Sequence, residues 1–123
     1  MTPGPEILIV DDDPALREIM GEACAATGHP ATTAPDRATA LDLAARMGTI
    51  RMALVDVVLG GGTSGFDLAD EIRKARPDIE VLLLSGYGSK ISMPDGFDAP
   101  ILGKPLPLEN LRRLLDSRLG TAG

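Results

Sequence analysis

Short apolar runs alternate along this chain with segments whose apolar residues recur every three or four positions. The first run, Ile7-Leu8-Ile9-Val10, is rich in β-branched residues and bounded by Pro5 and Pro14, which predicts a buried strand. A helix is expected from about Pro14 to Thr27, with Leu16, Ile19, Met20 and Ala23 on one face and Gly28 as its stop. Pro30 to Thr33 reads as a weak strand whose proline suits an edge position. Asp36 can cap a second helix to Met47, with Leu41, Leu43, Ala44 and Met47 apolar and Gly48 ending it. Met52 to Val55 is a third strand that ends at Asp56.

A loop containing Gly60-Gly61-Gly62 leads to a helix from Gly65 to Arg76. Ser64 and Asp67 have capping-box spacing at its start, and Pro77 closes it. Val81 to Leu84 is the most apolar strand and runs into Ser85-Gly86. Tyr87 to Asp98 is the least regular stretch, because Gly88, Pro94 and Gly96 interrupt any helix. A short strand, Pro100 to Leu102, precedes Gly103-Lys104-Pro105, and a last helix with Leu108, Leu111, Leu115 and Leu119 aligned runs from Leu108 to Leu119.

Strands alternating with helix-period segments predict an α/β fold built on a doubly wound, five-stranded parallel sheet. Functional groups in such sheets gather at the carboxyl ends of the strands. Asp11 and Asp12 follow the first strand, Asp56 the third, Ser85 the fourth and Lys104 the fifth, so three carboxylates, a hydroxyl and an ammonium converge on one sheet edge. Two unit charges about 4 Å apart cost roughly 4 kcal/mol at an effective dielectric near 20. A bound cation, a helix N-terminus, or both must offset that cost in the run Asp11-Asp12-Asp13. Asp13 before Pro14 reads as a helix N-cap, worth about 1 kcal/mol, which accounts for one aspartate of the three. Oxygen ligands without imidazole or thiolate suit Mg²⁺, with Mn²⁺ as the alternative metal. A carboxylate is also a competent nucleophile towards phosphorus, and phosphoryl transfer needs mainly alignment and charge stabilisation.

Composition narrows the field. The 123 residues fit one domain, 1–123, with a core from about 6 to 119. The absence of a long apolar run and of a secretion-type N-terminus leads to the expectation of a cytoplasmic protein without membrane association. A net charge of −6 and only Phe66, Phe97 and Tyr87 as aromatics argue against nucleic-acid binding. Cys24, the single cysteine, excludes an internal disulfide and a cysteine-based zinc site, and is read as a buried helix residue. His29, the only histidine, is expected in a surface or turn role at a helix-to-strand junction. Tyr87 is read as a surface tyrosine, with sensing of the nearby Ser85 as the alternative.

Several stretches together resemble the receiver domain of bacterial two-component response regulators. They are Ile-Leu-Ile-Val-Asp-Asp-Asp-Pro at 7 to 14, Ala-Leu-Val-Asp at 53 to 56, Gly65-Phe66, Leu-Leu-Leu-Ser-Gly at 82 to 86, and Leu-Gly-Lys-Pro at 102 to 105. The resemblance covers Ile7 to Leu119 and implies a flavodoxin-like (CheY-like) sheet of strand order 2-1-3-4-5, the order for which the chemotaxis receiver serves as a standard example. It implies that Asp56 accepts a phosphoryl group from a sensor histidine kinase or a histidine phosphotransfer protein. Asp12 then matches the direct Mg²⁺ ligand, Asp11 its acidic partner acting through water, and the Val58 backbone carbonyl a further ligand. Ser85 matches the switch hydroxyl and Lys104 the lysine that pairs with the phosphoryl group, with a cis Lys104-Pro105 bond expected.

The departures from that pattern are specific. Ile101 stands where the family often carries an aromatic, and the loop after Asp56 is one residue longer and lacks the usual proline. The stretch between Ser85 and Lys104 leaves room only for a short or irregular fourth helix. The expectation is therefore a stand-alone receiver that catalyses only its own phosphorylation and dephosphorylation and is otherwise not an enzyme. It signals to an unidentified downstream protein or passes phosphate along a relay. Two rivals are a degenerate receiver acting as a binding module and a haloacid-dehalogenase-like phosphatase. The second leaves Asp56 unexplained and has Ala15 where its motif needs Thr or Val.

Overall fold

A computed structural model describes residues 4–59, 64–86, 101–103 and 106–120. Five strands form one parallel sheet: β1 (Ile7–Val10), β2 (Ala31–Ala34), β3 (Met52–Asp56), β4 (Glu80–Ser85) and β5 (Ile101–Gly103). Helices α1 (Pro14–Ala26), α2 (Arg37–Arg46), α3 (Gly65–Ala75) and α4 (Leu108–Leu119) complete the described elements. The strand order is β2-β1-β3-β4-β5, as the resemblance implied. The expected irregular helix between Ser85 and Lys104 lies outside the described residues.

The apolar runs give strands because both sheet faces are covered. Leu8, Val10, Ala53, Val55, Val81 and Leu83 pack with Ala40 and Ala44 of α2 and with Leu68, Ala69 and Ile72 of α3. The alternate residues Ile7, Ile9, Met52, Leu54, Leu82 and Leu84 pack with Cys24 of α1 and with Leu111 and Leu115 of α4. β2 is an edge strand, and Pro30 stands just outside it, where its carbonyl accepts the Glu6 N–H at 2.8 Å without needing an N–H of its own. Among the described residues, no helix is long and apolar enough to cross a membrane.

Helix ends follow the sequence with one exception. Asp13 caps α1 by accepting the Ala15 N–H at 2.9 Å, Asp36 caps α2 through Thr39 N at 2.8 Å, and Ser64 caps α3 through Phe66 N at 3.2 Å. Gly28, at φ 89°, ends α1 in a Schellman turn: its N–H reaches the Ala25 carbonyl at 3.0 Å, and the His29 N–H reaches Cys24 at 3.1 Å. Gly48 does not close α2 in that way, because its φ is not positive. Instead the Arg76 guanidinium donates to the carbonyls of Ala44 at 2.8 Å, Met47 at 3.3 Å and Ile50 at 3.1 Å, while Asp78 holds it from the other side at 2.7 Å. A side chain from α3's C-cap thus replaces the expected glycine cap.

Two expectations about packing are corrected. Ile19 is exposed, because the buried stripe of α1 runs through Met20, Ala23 and Cys24 and leaves it outside. His29 does lie in the turn between α1 and β2, as expected, but it is not a surface residue. It is 2% exposed, with Nδ1 3.1 Å from Glu6 Oε2 and Nε2 3.1 Å from Asp116 Oδ1. The Schellman turn puts it directly after the glycine, a position that characteristically packs inward, and this is the sequence signal that could have found it.

Candidate functional site

The carboxyl ends of β1 and β3 hold the acidic cluster. One oxygen from each of Asp11, Asp12 and Asp56 lies within 4.8 Å of the others. Asp11 and Asp56 are buried, at 2% and 6% exposure, whereas Asp12 is exposed, so the cluster opens to solvent on one side. They line a cleft of about 370 Å³ together with Asp13, Leu16, Val58 and Gly86. Ser85, at the end of β4, is fully buried. β3 pairs with both β1 and β4, so the hydrogen-bonded sheet fixes the relative placement of Asp11, Asp56 and Ser85.

Local bonds orient the carboxylates. Asp11 Oδ1 accepts the Asp13 N–H at 3.0 Å, and Asp56 Oδ1 accepts the Val58 N–H at 3.1 Å. Asp13 turns instead to the helix end, so the triplet divides into two site residues and one cap. The loop after Asp56 is closed at its base by Gly65 N–H to the Val57 carbonyl at 3.0 Å and by a Val58–Ser64 bridge. Gly65 has to be glycine. A Cβ there would meet the Asp56 carbonyl oxygen at 2.0 Å, so α3 begins against the peptide that carries Asp56.

Of the residues singled out from the sequence, Asp11, Asp12, Asp56, Val58 and Ser85 come to this sheet edge. Lys104, the Lys104-Pro105 bond, Tyr87 and the glycine-rich loop 60–63 lie outside the described residues. Sequence reasoning missed Arg17, whose Nη1 donates to the Asp11 carbonyl at 2.8 Å from one turn into α1. Its only advance signal was an arginine on the helix that follows the acidic run. Cys24 is buried as expected, and burial pushes its thiol up to about 12.

Hard oxygen donors, two of them withdrawn from water, fit a divalent cation of the Mg²⁺ class, which takes one or two carboxylates and retains waters. The mutual repulsion of the three carboxylates supplies the electrostatic reason for such an ion.

Comparison with known proteins agrees with this geometry. The sequence matches the response regulator receiver domain family over residues 7–116, and the chain belongs to that family. It is 33% identical over 113 residues to the DNA-binding transcriptional regulator NtrC of Rhizobium meliloti, covering 88% of this chain and 22% of that protein. The chain thus spans about a quarter or less of the length of the NtrC regulators it matches, 24% in Azospirillum brasilense and 22% in Rhizobium meliloti. The response regulator TrrA of Thermotoga maritima, solved in complex with Mg²⁺ and BeF, has a TM-score of 0.79 at 28% identity over 93% of this chain and 98% of that one. TrrA in complex with the histidine kinase ThkA gives a TM-score of 0.80 at 28% identity, covering 94% of this chain and 99% of that one.

Proposed function

We propose that the chain receives a phosphoryl group on Asp56 from the phosphohistidine of a histidine kinase or phosphotransfer protein. The observation that carries this reading is the convergence of Asp11, Asp12 and Asp56 oxygens within 4.8 Å at the ends of two paired central strands. An Asp56 carboxylate oxygen attacks phosphorus, the bond from phosphorus to the donor imidazole nitrogen breaks, and the imidazole leaves. The bond from the Val58 N–H to Asp56 Oδ1 orients the nucleophile, and the rigid end of β3 fixes its position. Asp11, Asp12, Asp56 and the Val58 carbonyl would hold Mg²⁺, with Mn²⁺ as a substitute. When bound, the metal offsets negative charge on the phosphoryl oxygens. Ser85 and Lys104 are assigned to the phosphoryl oxygens as hydroxyl and ammonium donors.

The kinase complex of TrrA supports a histidine kinase as donor. We assign the output to a protein partner or to phosphate relay in the cytoplasm, with no nucleic acid or membrane bound by this chain, which fits its net charge of −6. The added phosphoryl charge at the strand ends is the signal that such a partner reads.

Phosphate incorporation from a labelled phosphohistidine donor tests the assignment. Asp56→Asn should abolish incorporation. Asp11→Ala and Asp12→Ala should weaken Mg²⁺ binding, whereas Asp13→Ala should leave it intact and lower stability by about 1 kcal/mol through loss of the cap. Label retained on Asp56→Asn would move the nucleophile to strand β1 and refute the proposal.

A further inference from the structure

Asp11 is held at every part of its backbone as well as through its carboxylate. Its N–H donates to the Ala34 carbonyl at 3.2 Å, its Oδ1 accepts the Asp13 N–H at 3.0 Å, and its carbonyl accepts Arg17 Nη1 at 2.8 Å. The first of these bonds belongs to the sheet and the second to the turn. Only the third comes from a side chain. Arg17 is itself anchored, since its own N–H donates to the Asp13 carbonyl at 3.0 Å in the first turn of α1. The guanidinium therefore closes a ring of hydrogen bonds through Asp11, Asp13 and the start of α1. It also lies close enough to Asp36, the cap of α2, to help hold that carboxyl below its ordinary range, after the larger effect of the Thr39 hydrogen bonds.

We infer that Arg17 is a positioning residue for the metal site: it locks the Asp11 peptide so that the Asp11 carboxylate stays turned towards Asp12 and Asp56. This rests on the assignment of those three aspartates to a divalent cation. Arg17 acts through the carbonyl of Asp11, and it is argued to touch neither metal nor phosphoryl group. The chemistry makes the inference unusually easy to separate from a charge effect. Removing a cation beside an acidic cluster should, by Coulomb's law alone, tighten the binding of another cation. Loss of positioning does the opposite, because outer groups that orient a metal's ligands typically govern 10–100-fold in affinity. The two accounts differ in sign.

The test is calorimetric titration of the full chain with MgCl₂, using wild type, Arg17→Met, Arg17→Lys and Asp12→Asn, each at a temperature where circular dichroism shows it folded. Arg17→Met should weaken Mg²⁺ binding about tenfold. Arg17→Lys, which keeps the charge and one donor, should fall between it and wild type. A merely structural role would lower the urea midpoint of Arg17→Met without moving its Mg²⁺ affinity. Unchanged or tighter binding by Arg17→Met, with Asp12→Asn unable to bind, would overturn the inference while leaving the metal site standing. If wild type itself fails to bind Mg²⁺, or Asp12→Asn binds equally well, the site assignment fails and the inference goes with it.

Discussion

An alanine side chain at position 65 would place its Cβ 2.0 Å from the Asp56 carbonyl oxygen and 2.6 Å from the Val57 Cα. Ordinary non-bonded contacts lie near 3.5 Å, so α3 and the end of β3 would have to part by more than 1 Å. Both obstacles are backbone, and no rotamer change relieves them. Overpacking of this kind costs about 1–3 kcal/mol, and the separation also lengthens the 3.0 Å bond from Gly65 N–H to the Val57 carbonyl, worth about 1 kcal/mol more. Alanine's better helix propensity returns about 1 kcal/mol. The net loss is about 1–3 kcal/mol, a sizeable part of the 5–15 kcal/mol typical of a domain. Urea unfolding followed by circular dichroism reads this directly. Because the displaced peptide carries Asp56, phosphate incorporation should also slow, by roughly 10–100-fold for a misplacement of about 1 Å. Gly48→Ala is the control, since a Cβ there meets nothing within 4 Å and the backbone needs no positive φ. Its stability should stay within about 0.5 kcal/mol of wild type or rise slightly. A Gly65→Ala chain as stable as Gly48→Ala would refute the close-approach argument.

Two further predictions concern buried groups. His29→Leu removes two side-chain contacts of 3.1 Å and leaves Glu6 and Asp116 beside an apolar group. Those carboxylates are 29% and 32% exposed and regain water, so we expect a loss of about 2–3 kcal/mol in urea unfolding, and less than additive effects with Asp116→Ala. Equal stability of His29→Leu and wild type would show that the bridge contributes nothing. Burial raises the Cys24 thiol from 9.0 to about 12, so the neutral thiol favours the folded state. That contribution is complete below pH 9 and is lost progressively as pH rises towards 12, up to roughly 4 kcal/mol by linkage. Alkylation of the folded chain at pH 8 should be about a thousandfold slower than after unfolding, and Cys24→Ala should flatten the alkaline limb of the stability curve. Rapid alkylation without unfolding would contradict the burial.

The legible parts of the fold were those written in a single local pattern. β1 and the start of β3 matched their apolar runs, and the leucine period of α4 fixed both its ends. β4 begins one residue earlier than its apolar run because Glu80, a polar residue paired with Arg118 of α4, joins the ladder. Edge strand β2 is displaced by one residue, since Pro30 takes part only through its carbonyl. The acidic cluster was legible for a topological reason: parallel strands deliver their final residues to one edge, so strand-end carboxylates meet whatever the loops do. Arg17 and Arg76 were not legible in this way. Their roles depend on where a long side chain ends, and the carbonyls that Arg76 reaches lie 26 to 32 residues away. His29 failed similarly, because its contact with Asp116 spans 87 residues.

α4 is held to the sheet by Leu111 and Leu115, both fully buried, whereas its polar contacts with other elements gather, among the described residues, in its last turn. Asp116 meets His29, Arg118 pairs with Glu80, and the Leu119 carbonyl accepts Arg51 Nη1 at 3.1 Å, all at the amino end of the sheet and away from the acidic cleft. Its first turn has no side-chain cap, and Leu108 there is 45% exposed. The helix therefore carries two kinds of fastening, an apolar seam that reaches into its first turn at Leu111 and a polar clasp confined to its last. Twelve residues make a helix about 18 Å long, so the clasp lies well away from the first turn. High salt should therefore slacken the clasp alone and leave the leucine seam, which rests on apolar burial, in place.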